Sequence, residues 1–164
     1  MNTAGKFVVA GFFLAALSAC SNVTGSGGAT GGASGSGAAG DPSSPAYFQS
    51  TVGDRILFEV DQATLTPQAQ ATLGAQATWL MSNTAFNATI EGHADEQGTR
   101  EYNLALGARR ANAAREYLIS RGVAGSRLTT VSYGKERPIE ICSTEDCYSK
   151  NRRAVTVLTG STLG

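Results

Sequence analysis

Two charged residues of this chain have types and positions that together could bind a ligand. Asp95 begins a polar, glycine-containing turn, Asp95–Thr99, directly after an apolar run, and Arg110 lies part-way along the helical segment that follows. The start of a helix carries unpaired backbone N–H groups, which favour an anionic group. A carboxylate, a guanidinium and amide donors suit a zwitterion. The ligand ammonium would pair with Asp95, and the ligand carboxylate would take the fork of Arg110.

An internal salt bridge between Asp95 and Arg110 is the competing interpretation. Arg110 falls on the apolar stripe that Leu106, Ala113 and Tyr117 define along the helix, whereas Arg109 can point to solvent. A partly buried guanidinium without a partner is costly, so Asp95 could simply be that partner and fix the strand-to-helix turn. From the residues alone, both interpretations stay open.

Hydrolytic chemistry is suggested by His93, the sole histidine, which lies near Glu91 and Glu96. A glycosidase would need two carboxylates about 5 to 9 Å apart across a sugar, and a zinc site would need three or four protein ligands. No second segment returns a matching ligand, and the spacing of Cys142 and Cys147 is loose for zinc. We therefore expect no catalytic residue, no metal and no cofactor, and we expect His93 to be a hydrogen-bonded residue at the end of a strand.

Alternating strands and helices must position these groups. Thr66 and Pro67 are typical of a helix start, Gly122 of a helix end, and the lone Trp79 of packing. We predict strands at Arg55–Val60, Phe86–His93, Leu128–Tyr133 and Arg153–Thr159, and helices from Pro67 to about Asn83, with Ala69, Leu73, Ala77 and Leu80 on the buried face, and at Tyr102–Arg121. The β-α-β-α-β-β order predicts an α/β sandwich with the helices packed on one face of a mixed sheet.

The N-terminus has the pattern of an export signal. Lys6 precedes the apolar run Phe7–Leu17, which is about half as long as the hydrocarbon thickness requires. The sequence Leu17-Ser18-Ala19-Cys20 resembles the lipobox of bacterial lipoproteins, which implies cleavage before Cys20 and acylation of that residue. An ordinary secretory signal with a chance cysteine is the alternative. By analogy with lipoproteins, Ser21 implies sorting to the outer membrane.

Composition sets the remaining boundaries. Thirteen basic and thirteen acidic side chains balance, which argues against a general attraction to nucleic acid. Residues 20–46 are nearly all Gly, Ser, Ala and Thr and are expected to form a flexible tether. We assign 1–19 to the signal, 47–160 to one folded domain and 161–164 to a tail. With Cys20 assigned to lipid, Cys142 and Cys147 can form a disulfide in an oxidising compartment.

Three segments carry a family resemblance. GHADEQGTREYNLALGARRAN (Gly92–Asn112), VSYGKERP (Val131–Pro138) and YSKNRRAV (Tyr148–Val155) resemble the OmpA-like peptidoglycan-binding family, in particular its lipoproteins of the Tol-Pal system. The resemblance runs from Ile56 to about Leu158. It implies a lipid-anchored, non-enzymatic protein of the outer membrane whose domain faces the periplasm. The implied partners are the peptidoglycan stem peptide, the Tol β-propeller protein competing for the same face, and other Tol components.

The resemblance also implies roles for individual residues. Asp95 would bind the ammonium and Arg110 the carboxylate of diaminopimelate in the stem peptide. The family further lines its pocket with positions that correspond here to Asp61, Gly98, Asn103, Leu106 and Arg153. Asn103 and Leu106 could equally be helix-start and core residues, and Arg153 a charge at a sheet edge. A peptidoglycan hydrolase and an adaptor that touches only Tol proteins remain as alternatives from other classes.

Overall fold

The computed structural model describes residues 40–160 of the chain. The predicted signal, the lipidation site Cys20, most of the predicted tether and the tail therefore lie outside the described residues. Within 40–160 the chain forms four α-helices and one four-stranded sheet. No helix in this part is long and apolar enough to cross a bilayer.

The sheet is mixed, as the sequence predicts. Its strands are β1 (Arg55–Leu57), β2 (Phe86–His93), β3 (Leu128–Gly134) and β4 (Arg153–Gly160). They lie in the order β1-β4-β2-β3, with β4 antiparallel to both neighbours and β2 parallel to β3. The register sets Thr89 opposite Val157 on one side and Thr129 on the other. The predicted fold class is confirmed.

Two long helices pack on the sheet. Helix α2 spans Pro67–Ser82 and begins at Thr66, whose side chain accepts a hydrogen bond from the Ala69 N–H. Helix α3 spans Arg100–Ser120 and is capped in the same way by Thr99. The chain leaves α3 through Gly122, at φ +104°, a conformation that glycine adopts without steric cost. The predicted face of α2 is buried in the core, together with Phe48, Ile56, Ile90, Ala114 and Leu118.

Helix α3 touches strand β2 backbone to backbone. A Cβ atom added at Gly92 would lie 1.8 Å from the carbonyl oxygen of Gly107, so only glycine fits there. This contact fixes the distance between the end of β2, which leads into Asp95, and the α3 turn that carries Arg110. The buried residues of α3 include Leu106, as predicted, but Ala114 takes the place of Ala113 on the buried stripe.

Three local features differ from the prediction. Strand β1 ends at Leu57: the Phe58 N–H still donates to the Arg152 carbonyl, but the Phe58 carbonyl accepts from the Arg152 side chain, and the chain then turns at Asp61, which has φ +56°. A short helix, α4 (Glu145–Asn151), precedes β4. Ordered structure also begins ahead of Tyr47, where the domain is predicted to start.

This early structure is a helical segment that covers the core. Helix α1 (Pro45–Tyr47) continues into a π-helical turn, Phe48–Gly53. The indole N–H of Trp79 donates to the Pro42 carbonyl at 2.7 Å, and Trp79 packs against the Phe48 ring at 4.9 Å between centroids. Trp79 is therefore a packing residue, as predicted. The sequence analysis did not predict this helical segment, because it follows directly on the Gly/Ser-rich stretch that is expected to form the tether.

Candidate functional site

A cavity of about 240 Å³ opens between the turn after β2, the start of α3 and the segment after β1. We call it the Asp95 cavity. Five residues that the sequence analysis assigns to the site line it: Asp61, Asp95, Gly98, Asn103 and Leu106. Val60, Gln97 and Tyr102 complete the lining. Groups that lie far apart in the chain are thus brought to one opening.

The turn that forms one wall of the cavity is held by its carbonyl groups. The Lys135 ammonium donates to the carbonyls of Glu96 and Gly98 at 3.3 and 2.8 Å. The Asn103 amide donates to the Gln97 carbonyl at 2.7 Å. Gly98 is exposed, lines the cavity and has φ +88°, a conformation that favours glycine. Asn103, which is buried, therefore both lines the cavity and fixes the turn.

Asp95 is paired with Arg152. Its Oδ2 accepts from Arg152 Nη1 at 3.2 Å, and its Oδ1 accepts from the Gln97 N–H, also at 3.2 Å. Asp95 is 7% exposed and Arg152 3%. Arg152 also contacts both carboxylate oxygens of Glu145. The internal salt bridge between Asp95 and Arg110 is therefore wrong as an interpretation, because each has another partner.

Arg110 joins two segments of backbone beneath the site. Its guanidinium donates to the carbonyls of Gln62, His93 and Glu59 at 2.8, 2.9 and 3.1 Å. The side chain is 0% exposed and does not line the cavity. Burial lowers the pKa of Arg110 to about 10, partly opposed by the nearby carboxylates of Asp95 and Asp61. Arg110 thus fixes the cavity wall and supplies positive charge behind it.

Asp61 also lines the cavity and lies on a strained turn. It is the non-glycine residue with positive φ in the described part of the chain, and such backbone strain persists only where the surroundings enforce it. The Tyr102 hydroxyl donates to the Asp61 carboxylate. Val60, half exposed, precedes Asp61 and also lines the cavity. Two carboxylates therefore line the cavity, and both lie near the buried guanidinium of Arg110.

Arg153 lies elsewhere. Its guanidinium donates to the carbonyls of Asn151 and Arg137 at 3.2 and 3.0 Å, and it does not line the Asp95 cavity. The geometry brings Arg152 to the site instead. Arg152 is the C-cap of α4, whereas Arg153 is the first residue of β4. The sequence motif contains both arginines, and it carries no signal for which of them reaches Asp95.

His93 ends β2, as predicted, but its ring is not hydrogen-bonded. The side chain is 2% exposed, and neither ring nitrogen has a hydrogen-bond partner within residues 40–160. Burial, with the positive charges of Arg153 and Arg137, lowers the pKa of His93 from 6.5 to about 4. The ring is neutral at physiological pH and sealed from water. Only the His93 carbonyl serves the site, as an acceptor for Arg110.

The loop before α4 is closed by a disulfide. Cys142 and Cys147 are joined, with 5.8 Å between their Cα atoms. Ser143, inside this loop, and Tyr148, just after it, both donate to one carboxylate oxygen of Glu96, at 2.9 and 3.0 Å. The loop is thus tied to the turn that carries Asp95. No cluster of metal-ligating side chains occurs within residues 40–160.

The fold and the cavity define a class: a small α/β domain with a charged cleft at the end of β2, one of the two central strands of its sheet. Residues 57–152 match the OmpA family. The chain belongs to this family.

Relatives and solved structures agree with this membership. The chain is 58% identical over 123 residues to the peptidoglycan-associated lipoprotein of Rhizobium meliloti, which covers 75% of this chain and 70% of the relative. It is 39% identical over 161 residues to the protein of the same name from Haemophilus influenzae, which covers 94% and 98%. The crystal structure of the Burkholderia pseudomallei peptidoglycan-associated lipoprotein aligns with TM-score 0.65 at 37% identity, over 74% of this chain and 98% of that one. The C-terminal domain of Helicobacter pylori MotB shares the fold, at 21% identity and TM-score 0.62, over 66% and 86% of the two chains.

Proposed function

We propose that this chain is a lipoprotein of the outer membrane that non-covalently binds the diaminopimelate-containing stem peptide of peptidoglycan. It would thereby link the membrane to the cell wall within the Tol-Pal system, with the Tol β-propeller protein and other Tol components as partners. One observation carries the binding proposal: five residues assigned to the site from the sequence line a single charged cavity. The names of the relatives support the peptidoglycan-associated class.

The cavity suits the end of a zwitterionic side chain. At about 240 Å³ it is smaller than the typical site of a drug-sized ligand, so the rest of a muropeptide would extend outside. The ligand ammonium would face Asp95, with Asp61 as a second carboxylate in the lining. The ligand carboxylate would take the backbone N–H of Gly98 and the positive field at the start of α3.

Arg110 would assist the carboxylate from below. Three of its donors are already used by backbone carbonyls, and a guanidinium has five. A direct contact would use the remaining N–H groups once ligand binding shifts the cavity wall. Arg153, assigned by resemblance, would require a larger rearrangement, and Arg152 is the arginine that already contacts Asp95.

A titration with soluble muropeptide tests the proposal. Replacing Asp95 with Asn should weaken binding about thirtyfold or more, because the ligand ammonium loses its buried counter-charge, an effect of about 2 to 5 kcal/mol. Asp146→Asn, at an exposed position of α4, is the matched control and should bind as wild type does. Equal affinity in the wild-type protein and Asp95→Asn would assign Asp95 to structure alone.

Amidation of the ligand carboxylate provides a second test of the proposal. It removes the charge that the Gly98 N–H and Arg110 would meet, so the amidated muropeptide should bind more weakly. Equal affinity for both forms would contradict the pose.

Incubation with purified sacculi separates binding from hydrolysis and from a purely adaptor role. We expect the protein to sediment with protein-free sacculi and to release no soluble fragments. Fragment release would support an enzyme, and failure to sediment would support an adaptor that touches only Tol proteins. The neutral, sealed His93 ring supports the non-enzymatic expectation, since it is not accessible as a base.

The membrane anchor rests on the sequence pattern at Cys20. Cys20→Ser should prevent acylation, so labelling of the protein with a radioactive fatty acid should be lost. Labelling at the wild-type level would contradict lipid anchoring at this residue.

A further inference from the structure

One arginine is shared between a buried carboxylate of the site and an exposed carboxylate outside it. Arg152 Nη1 lies 3.2 Å from Asp95 Oδ2 and 3.3 Å from Glu145 Oε2. Arg152 Nη2 contacts the other oxygen of Glu145. The Glu145 side chain is 62% exposed, whereas Asp95 and Arg152 are almost fully buried. The Asp95 and Glu145 carboxylates therefore both pair with the one guanidinium of Arg152.

The loop around Glu145 is held in place from both sides. The disulfide between Cys142 and Cys147 encloses it, and Ser143 and Tyr148 both bind Glu96, the residue next to Asp95. Glu145 is therefore fixed beside the site although its side chain is largely in water. The Arg152 Nε also donates to the Phe58 carbonyl at 3.1 Å, which keeps the guanidinium between the two acids.

This sharing decides how much negative charge a ligand meets at Asp95. An arginine paired only with Asp95 would compete with the ligand ammonium for the same carboxylate. Glu145 offsets that competition by taking part of the guanidinium. Consistent with the geometry, the pKa of Arg152 is raised chiefly by its hydrogen bond to Glu145 and less by that to Asp95. The same contact lowers the pKa of Glu145.

We infer that Glu145 is a positioning residue that draws Arg152 from Asp95 and so sets the selectivity of the cavity for a ligand with a free ammonium group. The inference rests on the proposed function and adds to it a residue outside the cavity lining. It makes Arg152 the internal competitor of the ligand, and Glu145 the group that weakens this competitor.

The test compares two probes in each protein: a soluble muropeptide whose single free amine is that of diaminopimelate, and the same muropeptide with that amine acetylated. Both probes carry the same carboxylates, and the added bulk of the acetyl group is the same for every variant, so a change in the ratio of the two affinities between variants reports on recognition of the ammonium. In Glu145→Gln the preference for the free amine should fall about fivefold, the effect of losing one exposed charge contact. Glu145→Asp, which keeps the charge, should recover at least part of the preference.

The matched control is Glu140→Gln. Glu140 forms a similar ion pair with Lys150 of α4 at 3.1 Å but does not contact Arg152. Its removal should leave the preference unchanged, because the Glu140 side chain is bound to Lys150 and not to Arg152.

The outcomes separate this inference from the proposed function. An unchanged ratio in Glu145→Gln, with the preference lost in Asp95→Asn, would overturn the role of Glu145 and leave the function standing. An equal loss of affinity for both probes would overturn it too, because recognition of the ammonium would be unaffected. If the wild-type protein bound neither probe, the proposed function and the inference would both fail.

Discussion

Arg110 provides the sharpest test of how the site is built. Its guanidinium binds the carbonyls of Gln62, His93 and Glu59 from a fully buried position. Arg110→Lys keeps the charge but removes the planar fork. A lysine ammonium is a single point, so it can reach one or two of three carbonyls that surround a guanidinium.

The magnitude follows from these contacts. A hydrogen bond to a charged group contributes about 1.5 to 3 kcal/mol, and a buried acceptor left without a donor adds a desolvation penalty. Losing one or two such bonds where water has no access should reduce the free energy of unfolding by about 3 kcal/mol. For a domain of this size the melting temperature should fall by roughly 10 to 15 °C.

Urea unfolding of wild type, Arg110→Lys and the control Arg109→Lys would measure the effect. Arg109 is exposed, and its described interaction is a loose contact with the Tyr102 ring at 5.9 Å, so its replacement should change stability by less than about 0.5 kcal/mol. If Arg110→Lys were as stable as Arg109→Lys, the guanidinium would not hold the backbone of the site, and the reasoning above would be refuted.

Three further predictions concern the frame around the site. The pKa of His93 is lowered from 6.5 to about 4 in the folded state, so the neutral ring stabilises the fold fully above the unfolded pKa, and this stabilisation is lost as pH falls. His93→Gln should therefore remove about 2 kcal/mol of the difference in unfolding free energy between about pH 7 and about pH 5. Urea unfolding at each pH would measure it. Gly92→Ala should destabilise the fold by about 3 kcal/mol or more, because its Cβ would meet the Gly107 carbonyl. Gly74→Ala, where the nearest neighbour of the new Cβ is 3.7 Å away, should stabilise by about 0.5 to 1 kcal/mol. Equal shifts in the melting temperatures of the two variants would contradict this. Arg127→Ala should cost about 2 kcal/mol in denaturant, since Arg127 donates to three carbonyls at the end of α2 and the start of β2, and an unchanged midpoint would refute that role.

Local signals in the sequence were sufficient for most of the fold. Thr66 with Pro67 marks the start of α2, and Gly122 marks the end of α3, because capping depends on residues that are close in sequence. The bounds of β2 follow from its apolar pattern and match the structure. The family motif then supplies the cavity residues, which composition alone would not select.

Long-range contacts of arginine were not predictable in this way. Arg110 and Arg127 bind backbone carbonyls, and a carbonyl carries no sequence signature, so nothing in the chain indicates which one will be the acceptor. Arg152 and Arg153 are chemically identical neighbours, and only the point where α4 ends and β4 begins decides which of them reaches Asp95. The short helix α4 escaped prediction because its apolar face is small and its position depends on the disulfide loop.

The segment ahead of β1 has a mechanical consequence. Tension applied at residue 40 would first load the hydrogen bond from Trp79 to Pro42 and then pull on Phe48, which is buried in the core. Extracting a side chain of this kind costs about 1.5 to 3 kcal/mol before any strand of the sheet is strained. Strand β1 and the Asp95 cavity lie further along that load path. The contacts of Pro42 and Phe48 could therefore be broken by tension while the Asp95 cavity stays intact.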